Sequence, residues 1–183
     1  MRPKLSILIC TLTDRLSFLH NLLNELYHQN PSCLIKCEIL TNSDYYLSSI
    51  GSKRNSLLQQ ARGEYVVYLD DDDNISTNYL EQIFVGIEQG VDHIGIAMMY
   101  MPDNGPHQLV LCSKDHKWEQ KNGIFYRSAQ HVCPVRAEIA KQATFPEISF
   151  GEDKAYADQI TPMIKTEYLI TEPIYYYKYR SNK

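Results

Sequence analysis

Residues 70–73 are four consecutive aspartates, and they follow directly on Glu64-Tyr65-Val66-Val67-Tyr68-Leu69. That run is short, β-branched and aromatic, which reads as a strand buried on both faces. Four carboxylates at the end of a buried strand repel one another unless solvent or a cation compensates them. Hard divalent ions such as Mg2+ and Mn2+ favour carboxylate and water oxygens and share their coordination with substrate phosphates. The pattern therefore points to a metal–phosphate site at the carboxyl end of a central strand. The plain alternative is a solvated acidic turn. An EF-hand spacing is also present in Asp70, Asp72, Asn74 and Glu81. Ile75 stands where that loop needs glycine, however, and a strand precedes it where a helix should.

A second acidic pair, Glu152-Asp153, precedes the helical stretch 154–160. Acidic residues at a helix start are commonly caps that interact with the macrodipole. A carboxylate beside a metal–phosphate site can instead serve as general base for an incoming hydroxyl.

The elements that would position these groups alternate in the first ninety residues. Strand patterns over residues 5–10, 36–40 and 64–69 are separated by helical patterns. One carries Leu16, Leu19, Leu22, Leu23 and Leu26 and ends at Asn30-Pro31; the next opens at Gly51, carries Leu57, Leu58 and Ala61, and stops at Gly63. A further helix with Leu80, Ile83, Phe84 and Ile87 ends at Gly90. Strand starts about thirty residues apart imply successive βαβ units and a parallel sheet with right-handed crossovers. In such sheets ligands bind beyond the carboxyl ends of the strands, where the aspartates lie. The second half reads as mixed α+β, with strands over 93–100, 108–112 and 123–127 and a short helix over 136–143.

Composition narrows the class. A chain of 183 residues, 44% hydrophobic and 22% charged, is the size and make-up of one globular domain. No apolar stretch is long enough to span a bilayer and no leader pattern opens the chain, so a cytoplasmic location is expected, host cytoplasm if the source is viral. Net charge is −4 and the basic residues are scattered, which argues against nucleic acid as a partner. Five cysteines, an odd number, fit free thiols in a reducing compartment. Cys33, Cys37, Cys112 and His116 could make a zinc site, but their spacing is loose. Cys10 reads as a small core residue.

Five pieces in order carry a family resemblance: Ser6-Ile7-Leu8-Ile9-Cys10-Thr11, Gly51-Ser52-Lys53-Arg54-Asn55, Ala61-Arg62-Gly63-Glu64-Tyr65, Leu69 with the four aspartates, and Gly151-Glu152-Asp153. Together they resemble the family 2 glycosyltransferases of GT-A fold over roughly residues 4–180. The segment 131–136 and the tail 175–180 look similar, less diagnostically. The resemblance implies a single-domain α/β GT-A (Rossmann-like) fold with a mostly parallel central sheet. Residues 1–92 would form the nucleotide-sugar half and 93–183 the acceptor half. It implies transfer of a sugar from a nucleotide-sugar donor to the hydroxyl of a glycan or other acceptor, with Mn2+ or Mg2+ as cofactor. Asp70 and Asp72 match the two aspartates of the family's DxD motif, one toward the donor ribose and one toward the metal. Asp72 is the favoured metal ligand and Asp73 its substitute, with Asp71 grouped among the donor contacts. Asp153 matches the catalytic base, and Thr11 and Arg54 match positions lining the nucleotide pocket. Arg54 also reads as an ordinary charge on a helix surface. The family's second strand often ends in an acidic pair that contacts the base; here Thr41-Asn42-Ser43-Asp44 leaves Asp44 in that role, displaced.

The chemistry implied is a single displacement with inversion: the hydroxyl loses its proton to a carboxylate as it attacks, and a cation stabilises the departing diphosphate. Acceptor choice is expected from residues 100–135, where Trp118 could stack on a sugar or belong to the core, or from a partner. The tyrosine-rich tail could pack on the core or face a partner. Two other readings remain. A sugar-phosphate nucleotidylyltransferase would need a glycine-rich basic loop where Thr11-Leu12-Thr13-Asp14-Arg15 stands. A catalytically silent nucleotide-sugar or glycan-binding module is opposed by Asp70, Asp72 and Asp153 all being present.

Overall fold

The computed structural model describes residues 2–179. Strand β1 (Leu5–Leu12) leads through a 3-10 turn into α1 (Leu16–Tyr27) and the single turn α2 (Pro31–Leu34); β2 (Cys37–Asp44), α3 (Ile50–Gln60) and β3 (Tyr65–Asp70) follow. The short β4 (Asn74–Ile75), α4 (Tyr79–Gln89) and β5 (His93–Pro102) come next. The second half holds β6 (Gln108–Cys112), β7 (Glu119–Lys121), β8 (Ile124–Arg127), β9 (Val135–Arg136), α5 (Ala137–Ala140), α6 (Glu152–Ile160) and β10 (Glu167–Tyr179).

Strands β2, β1 and β3 are parallel neighbours, with Leu5 opposite both Cys37 and Tyr65, so the predicted βαβ repeat is present. The sheet continues β3-β9-β5-β6-β8-β7, and β10 lies parallel to β5 while also pairing with β4. Side chains alternate across β3. Tyr65, Val67 and Leu69 join Leu22 and Leu26 of α1 and Ile83 and Phe84 of α4 on one face. Val66 and Tyr68 join Leu57 and Leu58 of α3, Ile139 of α5, Phe145 and Tyr156 on the other. Both faces are covered by helices, which is why β1 and β3 read as unbroken apolar runs. The rings of Phe145 and Tyr156 stack with centroids 4.1 Å apart, seating α6 under the sheet's carboxyl edge.

Three expectations needed adjustment. The helix expected over 136–143 is only the turn α5, and Arg136 at its start belongs instead to β9, which pairs with β3. Asn30-Pro31 does not end α1, which stops at Tyr27; Asn30 caps α2 by accepting the Ser32 N–H, with Pro31 in the first turn. The tyrosine-rich tail proves to be the second half of the 13-residue β10. Its alternation is broken at Pro173, where the register against β5 shifts. Tyr175 is fully buried, so the tail packs on the core; Arg180, at its end, lies outside the described residues.

Cys33 and Cys37 stand by β2, whereas Cys112 lies on β6, with β1, β3, β9 and β5 in between. The four-residue zinc set is therefore not assembled. The EF-hand spacing is likewise dissolved, since Asn74 and Ile75 pair with β10.

Gly51 matters for placing α6. Its N–H donates to Ile148 O at 3.1 Å, and a Cβ built there would sit 1.9 Å from Pro146 O. The loop 146–151 that leads into α6 therefore lies directly on the start of α3. Gly51→Ala is expected to push this loop away, destabilising the fold by about 1–3 kcal/mol. Thermal unfolding checks it: a melting temperature unchanged from the native chain would show that the loop shifts freely.

Candidate active site

The aspartate turn is closed by the Asp73 N–H donating to Asp70 O at 3.2 Å, and its carboxylates go three ways. Asp70 faces inward, with Oδ1 accepting from Arg54 Nη2 at 3.0 Å and Oδ2 3.3 Å from His131 Nε2. Asp71 accepts the Thr11 hydroxyl at 2.6 Å and Arg15 Nη2 at 2.6 Å. Asp72 Oδ2 lies 2.8 Å from the same Arg15 Nη2. Asp73 turns toward β10, accepting the Tyr175 hydroxyl at 2.7 Å and the Lys178 N–H at 2.8 Å; Tyr175 in turn accepts the Asp70 N–H.

These surroundings split the carboxyls electrostatically. Burial disfavours charge on Asp70, but His131 and Arg54 outweigh it and hold that carboxyl well below the usual range. Asp73 is pushed up to about 8 by burial and by the charges of Asp70 and Asp72, against its bonds to Tyr175 and Lys178. Asp71 is raised for the same reasons, burial first.

Beneath the turn lies a buried ion network. Arg54, its side chain 3% exposed, pairs through Nη1 with Glu152 Oε1 at 2.6 Å and through Nη2 with Asp70 and His131. It is thus not a surface charge of α3 but a clasp joining α3, β3, the loop before β9 and α6. Glu152, read from sequence only as one of an acidic pair, is buried and is the first residue of α6. Asp153 follows it half-buried, with Oδ1 accepting its neighbour Lys154's N–H at 2.8 Å. Gly151, with φ of +82°, makes the left-handed entry into α6, whose first residue Glu152 is buried.

A third group lies at the ends of β1 and β2. Lys53 Nζ, also buried, pairs with Asp44 and donates to Thr11 O at 2.8 Å. Lys53 and the Ser48 N–H hold the Asp44 carboxyl below its ordinary range. Thr11 and Asp44 lie at the carboxyl ends of β1 and β2, beside the β3 edge that ends in Asp70, so these three expected site residues fall on one rim. Trp118 is 43% exposed, with the Arg127 guanidinium 4.4 Å from its ring centroid and Lys154 Nζ 5.9 Å from it. It is a surface aromatic near Lys154 of α6, not a core residue.

Among the described residues no three His, Cys, Asp or Glu side chains converge as a preformed cage. A Mg2+ or Mn2+ ion taking one or two carboxylates and completing its shell with water and phosphate does not need one. The carboxylates present fit that mode. Asp70 and Asp73 have both oxygens held by groups rooted in the fold, whereas Asp72 is held by Arg15, whose side chain is 25% exposed. Arg15, Lys53, His131, Glu152 and Tyr175 were not expected as site residues. Glu152 was marked by its acidic pair, and Lys53, His131 and Tyr175 only by lying in segments that resemble the family; Arg15 had no signal.

A sequence model described as glycosyl transferase family 2 matches residues 48–139, a span containing Arg54 and the four aspartates and ending before Asp153. Among curated proteins no sequence matches significantly. Of solved structures, residues 1–349 of S. aureus TarS in complex with UDP-GlcNAc align with a TM-score of 0.73 at 18% identity, covering 98% of this chain and 60% of that one. The mannosyltransferase PcManGT from Pyrobaculum calidifontis, in complex with GDP-Man and Mn2+, aligns with a TM-score of 0.60 at 14% identity, covering 94% and 55%. The chain thus spans little more than half the length of these structures, and at such identities they speak for the fold alone. With half of its length matched by the family's own sequence pattern, the chain belongs to the family 2 glycosyltransferases.

Proposed function

We propose that this chain transfers a sugar from a nucleotide-sugar donor to an acceptor hydroxyl, with a divalent metal and inversion at the anomeric carbon. The observation that carries the reading is the Arg54 clasp. One guanidinium joins Asp70 at the aspartate turn to Glu152 at the start of α6, which supports Asp153, the next residue, as the group that would face a bound donor. The structures of similar fold hold UDP-GlcNAc in one case and GDP-Man with Mn2+ in another, which supports a UDP- or GDP-sugar.

Asp72 would hold the metal, which on binding stabilises the negative charge gathered by the leaving diphosphate. Asp73 is the weaker candidate, because its carboxyl is tied to β10 and favours the protonated form. Asp44 and Thr11 line the end of the rim where the nucleoside would lie, with Lys53 fixing both. Asp153 would take the proton of the acceptor hydroxyl as that oxygen attacks. With the base on the face opposite the leaving group, no covalent intermediate is needed. The donor half, about residues 1–92, is completed from the acceptor half by Tyr175 and Glu152. Trp118 and the highly exposed Phe150 flank the acceptor side.

A thermal-shift panel of UDP- and GDP-sugars with Mn2+ or with EDTA tests the reading. A donor at a hundred times its dissociation constant stabilises the native state by about 2.7 kcal/mol. That is a rise of roughly 5–10 °C for a domain of this size. The rise is expected to require the metal and to vanish in Asp72→Ala. A metal-independent rise that survives in Asp72→Ala would remove the metal from the mechanism.

A further inference from the structure

The three cations of the site are held very differently. Lys53 and Arg54 have side chains 4% and 3% exposed, and each is locked by partners rooted in separate elements. Arg15 is 25% exposed, and its ion-pair partners among the described residues are Asp71 and Asp72. A single nitrogen, Nη2, serves both carboxylates, at 2.6 and 2.8 Å. Its Nε is buried and has no hydrogen-bond partner among the described residues. The residue closes the short 3-10 turn between β1 and α1, with its guanidinium 5.5 Å from the Phe18 ring. It therefore sits on a short connection where a change of side-chain rotamer disturbs no sheet register.

From this geometry we propose that Arg15 is a displaceable counter-cation: it covers Asp71 and Asp72 until a donor diphosphate draws it away, so that metal ion and diphosphate enter together. The inference rests on the reading of Asp72 as metal ligand. A metal ion approaching Asp72 competes with Arg15 for the same oxygen, Oδ2. When the metal wins without an anion, a guanidinium is left beside a divalent cation with one of its two carboxylate partners taken. A diphosphate relieves both problems. It accepts from the displaced guanidinium, whose Nε already lacks an acceptor and whose planar fork suits phosphate oxygens. It also supplies oxygens to the metal. Metal and diphosphate then raise each other's affinity by the same factor, as linkage requires. The Lys53 and Arg54 pairs are spared, because neither shares an oxygen with Asp72.

The test is Mn2+ binding, followed by electron paramagnetic resonance or calorimetry, to the native chain, Arg15→Gln and Arg15→Lys. Each is titrated alone, with UDP, with GDP, and with the uncharged nucleosides as controls. The native chain is expected to bind Mn2+ weakly alone and more tightly with one of the diphosphates. Arg15→Gln is expected to bind Mn2+ alone more tightly than the native chain, and its diphosphate enhancement to shrink by roughly 5-fold or more, within the range of ordinary coupling. Arg15→Lys keeps the charge without the fork and should fall between the two. Gln equal to native in both respects overturns the role of Arg15 and leaves the metal-dependent reading intact. No Mn2+ bound by the native chain with either diphosphate sinks that reading and the proposal with it.

Discussion

Asp153→Asn is expected to lower sugar transfer by roughly 10²- to 10⁴-fold, the usual contribution of a positioned general base, while donor binding stays close to native. The substitution is nearly isosteric, and in the structure Asp153 makes one local bond, with Oδ1 accepting the N–H of Lys154. An asparagine oxygen can keep that bond, so the start of α6 should not move. The buried neighbour Glu152, which does hold the helix to Arg54, is untouched. What is lost is the capacity to take a proton. The transfer rate should therefore fall while the metal-dependent thermal shift with the donor persists. That pairing separates the base from a structural carboxylate, whose loss would lower both together. Native and variant rates equally negligible, with the shift retained, would favour the binding-module reading. A rate within threefold of native would move the base elsewhere, since general-base loss is larger than that.

The parts of this architecture visible in the sequence are those whose physics is local. Strands β1 and β3 are buried on both faces and so appear as unbroken apolar runs, and their spacing implies the parallel βαβ pairing that is present. The aspartates announce themselves by mutual repulsion. What stayed hidden depends on long-range partners. The buried residues of α3 are Gly51, Lys53, Arg54, Leu57 and Leu58, so two of the five it turns inward are cationic. An apolar periodicity search cannot see such a face, and Arg54 passes for a surface residue. Glu152 looks like a cap until its partner 98 positions away is known. Strand β10 is masked by Pro173, and with it the support that Tyr175 and Lys178 give to Asp73. Sequence therefore places the carboxylates, while only the fold shows that Asp70 and Asp73 brace the turn.

That distinction makes Arg54 the site of the largest expected loss of stability. Arg54→Met keeps much of the side-chain volume but leaves Asp70 and Glu152 without the cation that compensates both. Breaking a buried pair from one side costs about 3–5 kcal/mol, because the remaining charge stays desolvated. For a domain of this size the melting temperature should fall by roughly 6–20 °C. The pH dependence gives a second signature. Asp70 has a depressed folded-state pKa, so its contribution is present above its unfolded value and is lost as pH falls toward the folded one. Without Arg54 that depression shrinks. The gap between variant and native should therefore be widest near neutral pH and narrow as pH falls through about 4, where the unfolded carboxyl takes up its proton. Adding Glu152→Gln to Arg54→Met removes one of the two stranded charges and should recover part of the loss. His131 remains beside Asp70 and can still pair with it if protonated, so the recovery is expected to be incomplete. A single variant that melts within 2 °C of native at neutral pH would mean that the desolvation of the guanidinium cancels its pairing. In that case α6, and Asp153 with it, is held by the stack of Phe145 on Tyr156 and by the close seat of Gly51 against Pro146.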